Sequence, residues 1–159
     1  MSTEITIYTD GAAKGNPGPG GYGIILQSGP HYKEASQGFR LTTNNRMELM
    51  SVCVALEMLK TDSCNVTVYS DSKYVVDSVE KRWIDGWIKR SWKNVKNPDL
   101  WKRYLTIASK HKVRFKWIRG HNGHPMNERC DFLAVEASVG ANLLVDSWYE
   151  AHKNDAGLF

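Results

Sequence analysis

Alternating apolar and polar residues at the start of the chain predict three short strands. The first covers residues 5–10, where two isoleucines flank a threonine. Two more, over residues 22–27 and 33–39, are joined by a Ser-Gly-Pro segment that predicts a hairpin. The intervening residues 11–21 hold five glycines and two prolines. This stretch is therefore expected to be a loop rather than the interior of a strand or helix.

Helical periodicity begins at residue 44, after which helices and strands are interleaved. The predicted elements are a helix over 44–60, a strand over 65–70, helical segments over 72–79, 82–88 and 97–109, a strand over 113–118 and a helix over 127–139. Asn97 is expected to cap the helix that Pro98 begins. The order βββαβααβα, with a split helix, predicts an α/β fold with a mixed five-stranded sheet flanked by helices.

The length and composition predict one packed domain. The chain has 159 residues, 42% of them apolar, and six tryptophans. We expect residues 1–140 to form the domain and residues 141–159 to form a C-terminal tail that is partly packed or disordered. Trp148 and Tyr149 are the candidates for packing the tail onto the domain. A monomer is the default oligomeric state.

The charge and the cysteine content indicate which kind of partner the protein binds and in which cellular compartment it acts. A net charge of +4 mildly favours a polyanionic partner. The three cysteines are an odd number without a close pair, which fits a reducing compartment. The sequence has no basic leader at its start and no apolar run long enough to span a bilayer. These features predict a cytoplasmic protein that does not associate with membranes.

Four acidic residues stand in contexts that suit metal binding: Asp10, Glu48, Asp71 and Asp131. Two of them end predicted strands and two lie near the starts of predicted helices, and ligands gather at the carboxyl ends of strands in such sheets. Together they would form an all-oxygen site for Mg²⁺ or Mn²⁺. The alternative is that they are capping or solvated acids, since the chain has 17 acidic residues. Spacing alone leaves both interpretations open.

Several sequence blocks closely resemble, in order and in register, the bacterial type 1 ribonuclease H family. The blocks are Thr9-Asp-Gly, Gly15-Asn-Pro-Gly-Pro-Gly-Gly-Tyr-Gly, Thr42-Thr-Asn-Asn-Arg-Met-Glu-Leu, Ser70-Asp-Ser-Lys-Tyr-Val and Gly120-His-Asn-Gly-His-Pro-Met-Asn-Glu-Arg-Cys-Asp. The resemblance implies an endonuclease that hydrolyses the RNA strand of an RNA/DNA hybrid and leaves 5′-phosphate and 3′-hydroxyl ends. It also implies that the four acids are catalytic ligands for two Mg²⁺ ions, with Mn²⁺ as a substitute.

The resemblance assigns further roles to a histidine and to polar residues. His121 corresponds to a mobile residue near the metals that assists proton transfer or product departure. Asn16, Asn44 and Asn45 correspond to contacts in the minor groove, where the 2′-hydroxyl distinguishes RNA from DNA, and backbone atoms near Gly11 are suitable partners for that hydroxyl. Two alternatives remain for His121. It could be a solvent-exposed loop residue, or it could form a zinc site with His124 and Cys130, although the sequence has no second ligand pair at zinc-finger spacing.

Two positions depart from the family pattern near the expected phosphate contacts. Thr43 and Asn97 correspond to residues that bind a phosphate of the DNA strand in the family that the chain resembles. The usual arginine two residues before that threonine is Leu41 here, and strand alternation sends the neighbouring Arg40 to the opposite face. Lys73 stands where relatives commonly carry glutamine, so a phosphate contact is expected to replace a base-edge contact.

Residues 81–96 form a basic arm with six lysines and arginines, one acid and three interleaved tryptophans. Trp83, and in part Trp87, are expected to pack into the core. The resemblance implies that the remaining residues hold the DNA strand, with Lys89, Arg90, Trp92 and Lys93 as the candidates. The arm is shorter than in the longer bacterial versions and lacks some of their lysines, which predicts weaker hybrid binding.

Two other functions compete with the nuclease interpretation. One is a catalytically inactive module that binds hybrids without cutting them. The other is an integrase or transposase core that shares the fold and acts on DNA, because fold alone does not decide function. The asparagine pair, the basic arm and the single-domain length favour the hybrid nuclease. A dinucleotide-binding loop is excluded because a proline interrupts the glycine pattern and a strand follows it.

Overall fold

The computed structural model describes residues 3–120 and 122–155, which form a mixed sheet with helices on both faces. The elements are β1 Glu4–Ala13, β2 Gly18–Ser28, β3 His31–Thr42, α1 Asn44–Glu57, β4 Asn65–Ser70, α2 Lys73–Glu80, α3 Trp83–Lys89, α4 Pro98–Ala108, β5 Lys112–Trp117, α5 Pro125–Ser138, β6 Leu143–Leu144 and α6 Ser147–His152. The predicted α/β class is confirmed, and so is the order of the elements from β1 to α5, with the split helix present as α2 and α3.

The sheet has the strand order β5-β4-β1-β2-β3-β6. Strands β1, β2 and β3 are antiparallel neighbours, whereas β4 pairs in parallel with both β1 and β5. Within the described residues the sheet has six strands rather than the predicted five, because Leu143 and Leu144 pair with Gly38 and Phe39. A two-residue strand is too short to show alternation, so the sequence pattern did not indicate it.

The glycine-rich stretch is more ordered than predicted. Strand β1 continues to Ala13 and β2 begins at Gly18, so the expected loop over residues 11–21 is wrong at both ends. The glycines serve close packing: a Cβ on Gly21 would lie 2.6 Å from the carbonyl oxygen of Ala134 in α5. Glycine in β2 therefore lets α5 lie directly on the sheet, a reason that composition alone does not reveal.

The main core lies between the sheet and α1, which is buried along most of its length. Trp101 of α4 is fully buried and packs against Trp87 with ring centroids 5.5 Å apart. Trp83 is 47% exposed, so its predicted place in the core is wrong. It stands at the first position of the short helix α3, with the Lys81 ammonium over its ring.

Part of the predicted tail packs onto the domain. Tyr149 of α6 is buried, and Asp146, which caps α6, is also buried. Residues 156–159 lie outside the described part of the chain. In the residues that were searched, no helix has the length and apolar character needed to cross a membrane.

Candidate active site

Three carboxylates meet where the parallel pairing of β1 with β4 ends, at Thr9 and Ser70. Asp10 lies near the end of β1 and Asp71 directly follows β4, the parallel neighbour of β1. Glu48 projects from the second turn of α1. One carboxylate oxygen from each of the three lies within 4.8 Å of the others. Asp131, on α5, lines the same cleft, which has a volume of about 490 Å³.

The backbone amide of Gly11 links two of these carboxylates. It donates a hydrogen bond to Asp10 Oδ1 at 2.9 Å and another to Glu48 Oε1 at 3.0 Å. A Cβ at this position would lie only 2.5 Å from the backbone nitrogen of Glu48. Glycine therefore allows β1 and α1 to approach closely enough for the two carboxyl groups to share one donor.

Within the part of the chain that the structure describes, the negative charge of the carboxylate cluster is not fully balanced by positively charged or hydrogen-bonding groups of the surrounding protein. Burial, together with the charges of Asp71 and Asp131, raises the pKa of Asp10 to about 7. Burial and the adjacent Asp10 raise the pKa of Glu48 well above its ordinary value. The second oxygen of Glu48, Oε2, is buried and has no hydrogen-bond partner among the described residues. Such a group is stabilised by a proton or a cation.

Asp71 is held by two residues that the sequence did not single out as functional. Asn127 Nδ2 donates to Asp71 Oδ2 at 3.4 Å, and the indole Nε1 of Trp117 donates to the Asp71 carbonyl oxygen at 3.1 Å. Asn127 is only 2% exposed. A polar residue in the first turn of α5, near Asp131, was the available signal for Asn127. Only the pairing of β4 with β5 reveals the position of Trp117.

The predicted histidine His121 lies outside the described residues. His124 caps α5, with its Nδ1 accepting from the backbone N–H of Asn127 at 3.3 Å, and its ring leans against Tyr8. The Cys130 thiol is buried and donates to the Tyr8 carbonyl oxygen. Among the described residues, the group with metal-ligand spacing contains neither His124 nor Cys130, so the zinc alternative gains no support.

The predicted minor-groove residues lie beside the carboxylates. Gly11, Asn44 and Asn45 line the same cleft, and so does Lys73, the predicted phosphate contact. Asn44 Oδ1 accepts from the Ala13 amide at 2.6 Å, and the Asn44 amide donates to Asn16 Oδ1 at 2.9 Å. These bonds tie the turn between β1 and β2 to the start of α1. They also bring Asn16 next to the cleft without placing it in the lining.

The two residues predicted to hold a DNA phosphate have structural partners. Thr43 caps α1, its hydroxyl accepting from the Arg46 amide at 3.2 Å. Asn97 is buried; its side chain donates to the Tyr74 hydroxyl and accepts from the Arg46 guanidinium. The expected side-chain cap of α4 by Asn97 is wrong, because the residue adopts a left-handed conformation with φ 53° and its amide faces Tyr74 instead.

The basic arm lies apart from the residues that line the carboxylate cleft. Lys89, Arg90 and Lys93 are exposed, as their predicted contact with nucleic acid requires. Trp92 is partly buried against the core, with the Lys102 ammonium 5.7 Å from its ring centroid. The tryptophan therefore anchors the segment that carries the exposed charges.

The strand order and the carboxylate-lined cleft define an α/β enzyme of the ribonuclease H-like fold. The solved structure of LC9-RNase H1, described as a type 1 RNase H with the type 2 active-site motif, is similar with a TM-score of 0.79 and 31% identity, over 98% of this chain and 83% of that one. LC11-RNase H1 in complex with an RNA/DNA hybrid matches with a TM-score of 0.63 and 29% identity, over 84% and 95% of the chains.

Sequence comparison gives the family. The RNase H family profile matches residues 2–139. Ribonuclease H of Lachnoclostridium phytofermentans is 54% identical over 158 residues, covering 92% of this chain and 99% of that protein. Ribonuclease H of Trichodesmium erythraeum is 56% identical over 153 residues, covering 93% and 97%. The chain therefore belongs to the RNase H family and is a ribonuclease H enzyme.

Proposed function

We propose that the protein hydrolyses the RNA strand of RNA/DNA hybrids as an endonuclease. The observation that carries the proposal is the cluster of Asp10, Glu48 and Asp71, with Asp131 in the same cleft. The family membership and the hybrid bound to LC11-RNase H1 support RNA/DNA hybrid as the substrate. Bond cleavage is favoured over a binding module because all four acids are retained.

The donor set fits a divalent cation. The ligand atoms are carboxylate oxygens, which suit Mg²⁺ and, as a substitute, Mn²⁺. The unpartnered, buried Glu48 Oε2 is the oxygen that most requires a cation. We assign Asp10, Glu48, Asp71 and Asp131 as the ligands. The chemistry that two bound cations supply is activation of water and stabilisation of the leaving 3′-oxygen, giving 5′-phosphate and 3′-hydroxyl ends.

The chain's own residues orient the ligands and the substrate. The Gly11 amide holds Asp10 and Glu48 in fixed positions, and Asn127 and Trp117 fix Asp71. Asn44 and Asn45, with Asn16 and Gly11, are positioned to contact the 2′-hydroxyl and base edges in the minor groove. His121 is proposed to transfer protons or aid product departure.

The DNA strand is proposed to run from the start of α1 to the basic arm. Thr43 and Asn97 both hydrogen-bond to Arg46, Thr43 to its backbone amide and Asn97 to its guanidinium, and the two residues are proposed to contact a phosphate of that strand. The exposed Lys89, Arg90 and Lys93 would continue that contact along the strand, and Trp92 would support them. The free, buried cysteines Cys53, Cys64 and Cys130 are consistent with action in the reducing cytoplasm, and a monomer is proposed.

One experiment separates the candidate functions. The purified protein is incubated with Mg²⁺ and labelled RNA/DNA, RNA/RNA and DNA/DNA duplexes, with Asp10→Asn as the matched variant. Cutting confined to the RNA of the hybrid, and lost in the variant, is expected. Binding of hybrid without cutting would indicate the inactive module. Cleavage of DNA would indicate an integrase-like or transposase-like activity.

A further inference from the structure

Trp117 is a large aromatic side chain that remains 44% exposed beside the carboxylate cluster. It is the last residue of β5, and Ser70–Trp117 is the final pair of the parallel β4–β5 ladder. The next backbone bond, from the Ile118 amide to the Ser70 carbonyl, is 3.0 Å long. The indole N–H then reaches the Asp71 carbonyl at 3.1 Å. The side chain thus extends the hydrogen bonding by one residue, to the carboxylate-bearing position itself.

A positively charged side chain lies over the face of the same indole. The Lys73 ammonium lies 4.7 Å from the ring centroid, within the range of a cation–π interaction. Lys73 is exposed and lines the cleft with Asp10, Glu48 and Asp71. Among the described residues it makes no ion pair with these carboxylates. The ring therefore gives the ammonium a place at the rim of the cleft, away from the metal-ligand oxygens.

We propose that Trp117 is a positioning residue with two separate actions. Its N–H fixes the backbone of Asp71, and its ring face holds Lys73 at the rim, where the ammonium binds a backbone phosphate of the substrate. A flexible lysine beside several carboxylates would otherwise be drawn onto them and would compete for ligand oxygens. This inference rests on the proposed function. It adds a positioning residue to the site and assigns separate roles to the N–H and to the ring face of that residue.

Two substitutions of Trp117 separate the actions. Trp117→Phe keeps an aromatic face but removes the N–H, so kcat is expected to fall while KM stays close to that of the unmodified protein. Trp117→Leu removes both features, so KM is expected to rise as well. Lys73→Gln is expected to raise KM. It should also make the slope of log(kcat/KM) against log[salt] shallower by about one, the value for a single lost phosphate contact.

The decisive measurement is a double-mutant cycle between Lys73→Gln and each Trp117 variant. Lys73→Gln should cost about 2–5-fold less in kcat/KM in the Trp117→Leu background than in the unmodified protein, and most of that coupling should return with Trp117→Phe. Lys112→Gln, which removes an exposed charge at the far end of β5, is the control and should show no coupling. Equal costs of Lys73→Gln in all backgrounds would overturn the proposal.

A measurement without substrate keeps this test distinct from that of the proposed function. The side-chain methylene resonances of Lys73 should be shifted upfield by the indole ring in NMR spectra of the free protein, and Trp117→Leu should abolish the shift. If the shift persisted in Trp117→Leu, and a cooperative thermal transition showed that the variant is folded, the proposal that the Trp117 ring holds Lys73 would be refuted. If the unmodified protein failed to cut hybrid, the ring-current result would still decide whether Trp117 holds Lys73.

Discussion

Arg46 and Asp146 form a doubly hydrogen-bonded ion pair that is almost completely buried. Arg46 Nε lies 2.7 Å from Asp146 Oδ2 and Nη2 lies 3.0 Å from Oδ1, with the two side chains 1% and 3% exposed. The same guanidinium bonds both oxygens of Asp99. Burial alone would lower the pKa of Arg46, but the bonds to the two carboxylates outweigh it and raise the pKa. One side chain therefore joins α1, α4 and the start of α6.

Asp146→Ala is expected to lower the free energy of unfolding by about 3 kcal/mol, because it leaves one face of a buried guanidinium without its partner. Glu150→Ala is the matched control on the same helix. It removes the Arg40–Glu150 pair, in which the arginine is 60% exposed, and should cost much less than Asp146→Ala because exposed ion pairs contribute little to stability. Urea denaturation measures both. Similar losses in the two variants would mean that the buried network does not hold the C-terminal segment.

The stability of the metal-free protein should decrease with rising pH through the titration of Asp10. The pKa of Asp10 is raised from 3.8 to about 7 on folding, so the folded state binds more protons than the unfolded state between these values. This contribution is complete below about pH 4 and is lost as the pH rises through about 7. Urea melts with a chelator, from pH 5 to pH 8, should show unmodified protein losing about 2–3 kcal/mol relative to Asp10→Asn. Parallel curves for the two proteins would contradict the predicted shift.

Magnesium should stabilise the folded protein by relieving the repulsion within the carboxylate cluster. At about 100 times its dissociation constant, a ligand specific to the folded state adds about 2.7 kcal/mol. A thermal melt across a Mg²⁺ titration at pH 7.5 measures the effect, and Asp10→Asn should reduce it sharply. A melting temperature that does not change with Mg²⁺ would argue against a shared metal site at these acids.

The sequence could predict the carboxylate cluster because its signals are local. The strands that carry Asp10 and Asp71 show clear alternation, and parallel pairing of β1 with β4 brings their ends together. The spacing of α1 places Glu48 one turn from its start. These three positions depend on regular elements, so motif and periodicity were sufficient.

The features that sequence reasoning missed depend on contacts between distant parts of the chain. Arg46 stands in a recognised motif, but its partners lie 53 and 100 residues away. Trp83 has the residue type of a core position but begins a short exposed helix. Trp117 gains its position only from the pairing of β5 with β4. Tertiary contacts of this kind override residue-type preferences, and a single sequence does not contain them.

The exposed lysines of the basic arm should set the salt dependence of hybrid binding. Lys89→Gln and Lys93→Gln are each expected to reduce the slope of log K against log[salt] by about one, with a uniform loss of affinity across sequences. Because the arm is short, the slope of the unmodified protein should be shallower than that of a long-arm relative measured alongside. Fluorescence anisotropy at several salt concentrations tests both statements. Slopes equal to that of the relative would show that the missing lysines do not contribute.

Leu41→Arg should strengthen substrate binding, because the neighbouring arginine is engaged elsewhere. Arg40 donates two hydrogen bonds to Glu150, at 2.9 and 2.8 Å, so it faces α6. An arginine at position 41 would instead alternate to the side of Thr43, where a phosphate contact is proposed. KM for hybrid is expected to fall about 2–5-fold at low salt with kcat unchanged. Arg40→Leu is the control and should leave KM as it is. If KM rose in Arg40→Leu, or did not fall in Leu41→Arg, the phosphate would lie elsewhere than beside Thr43.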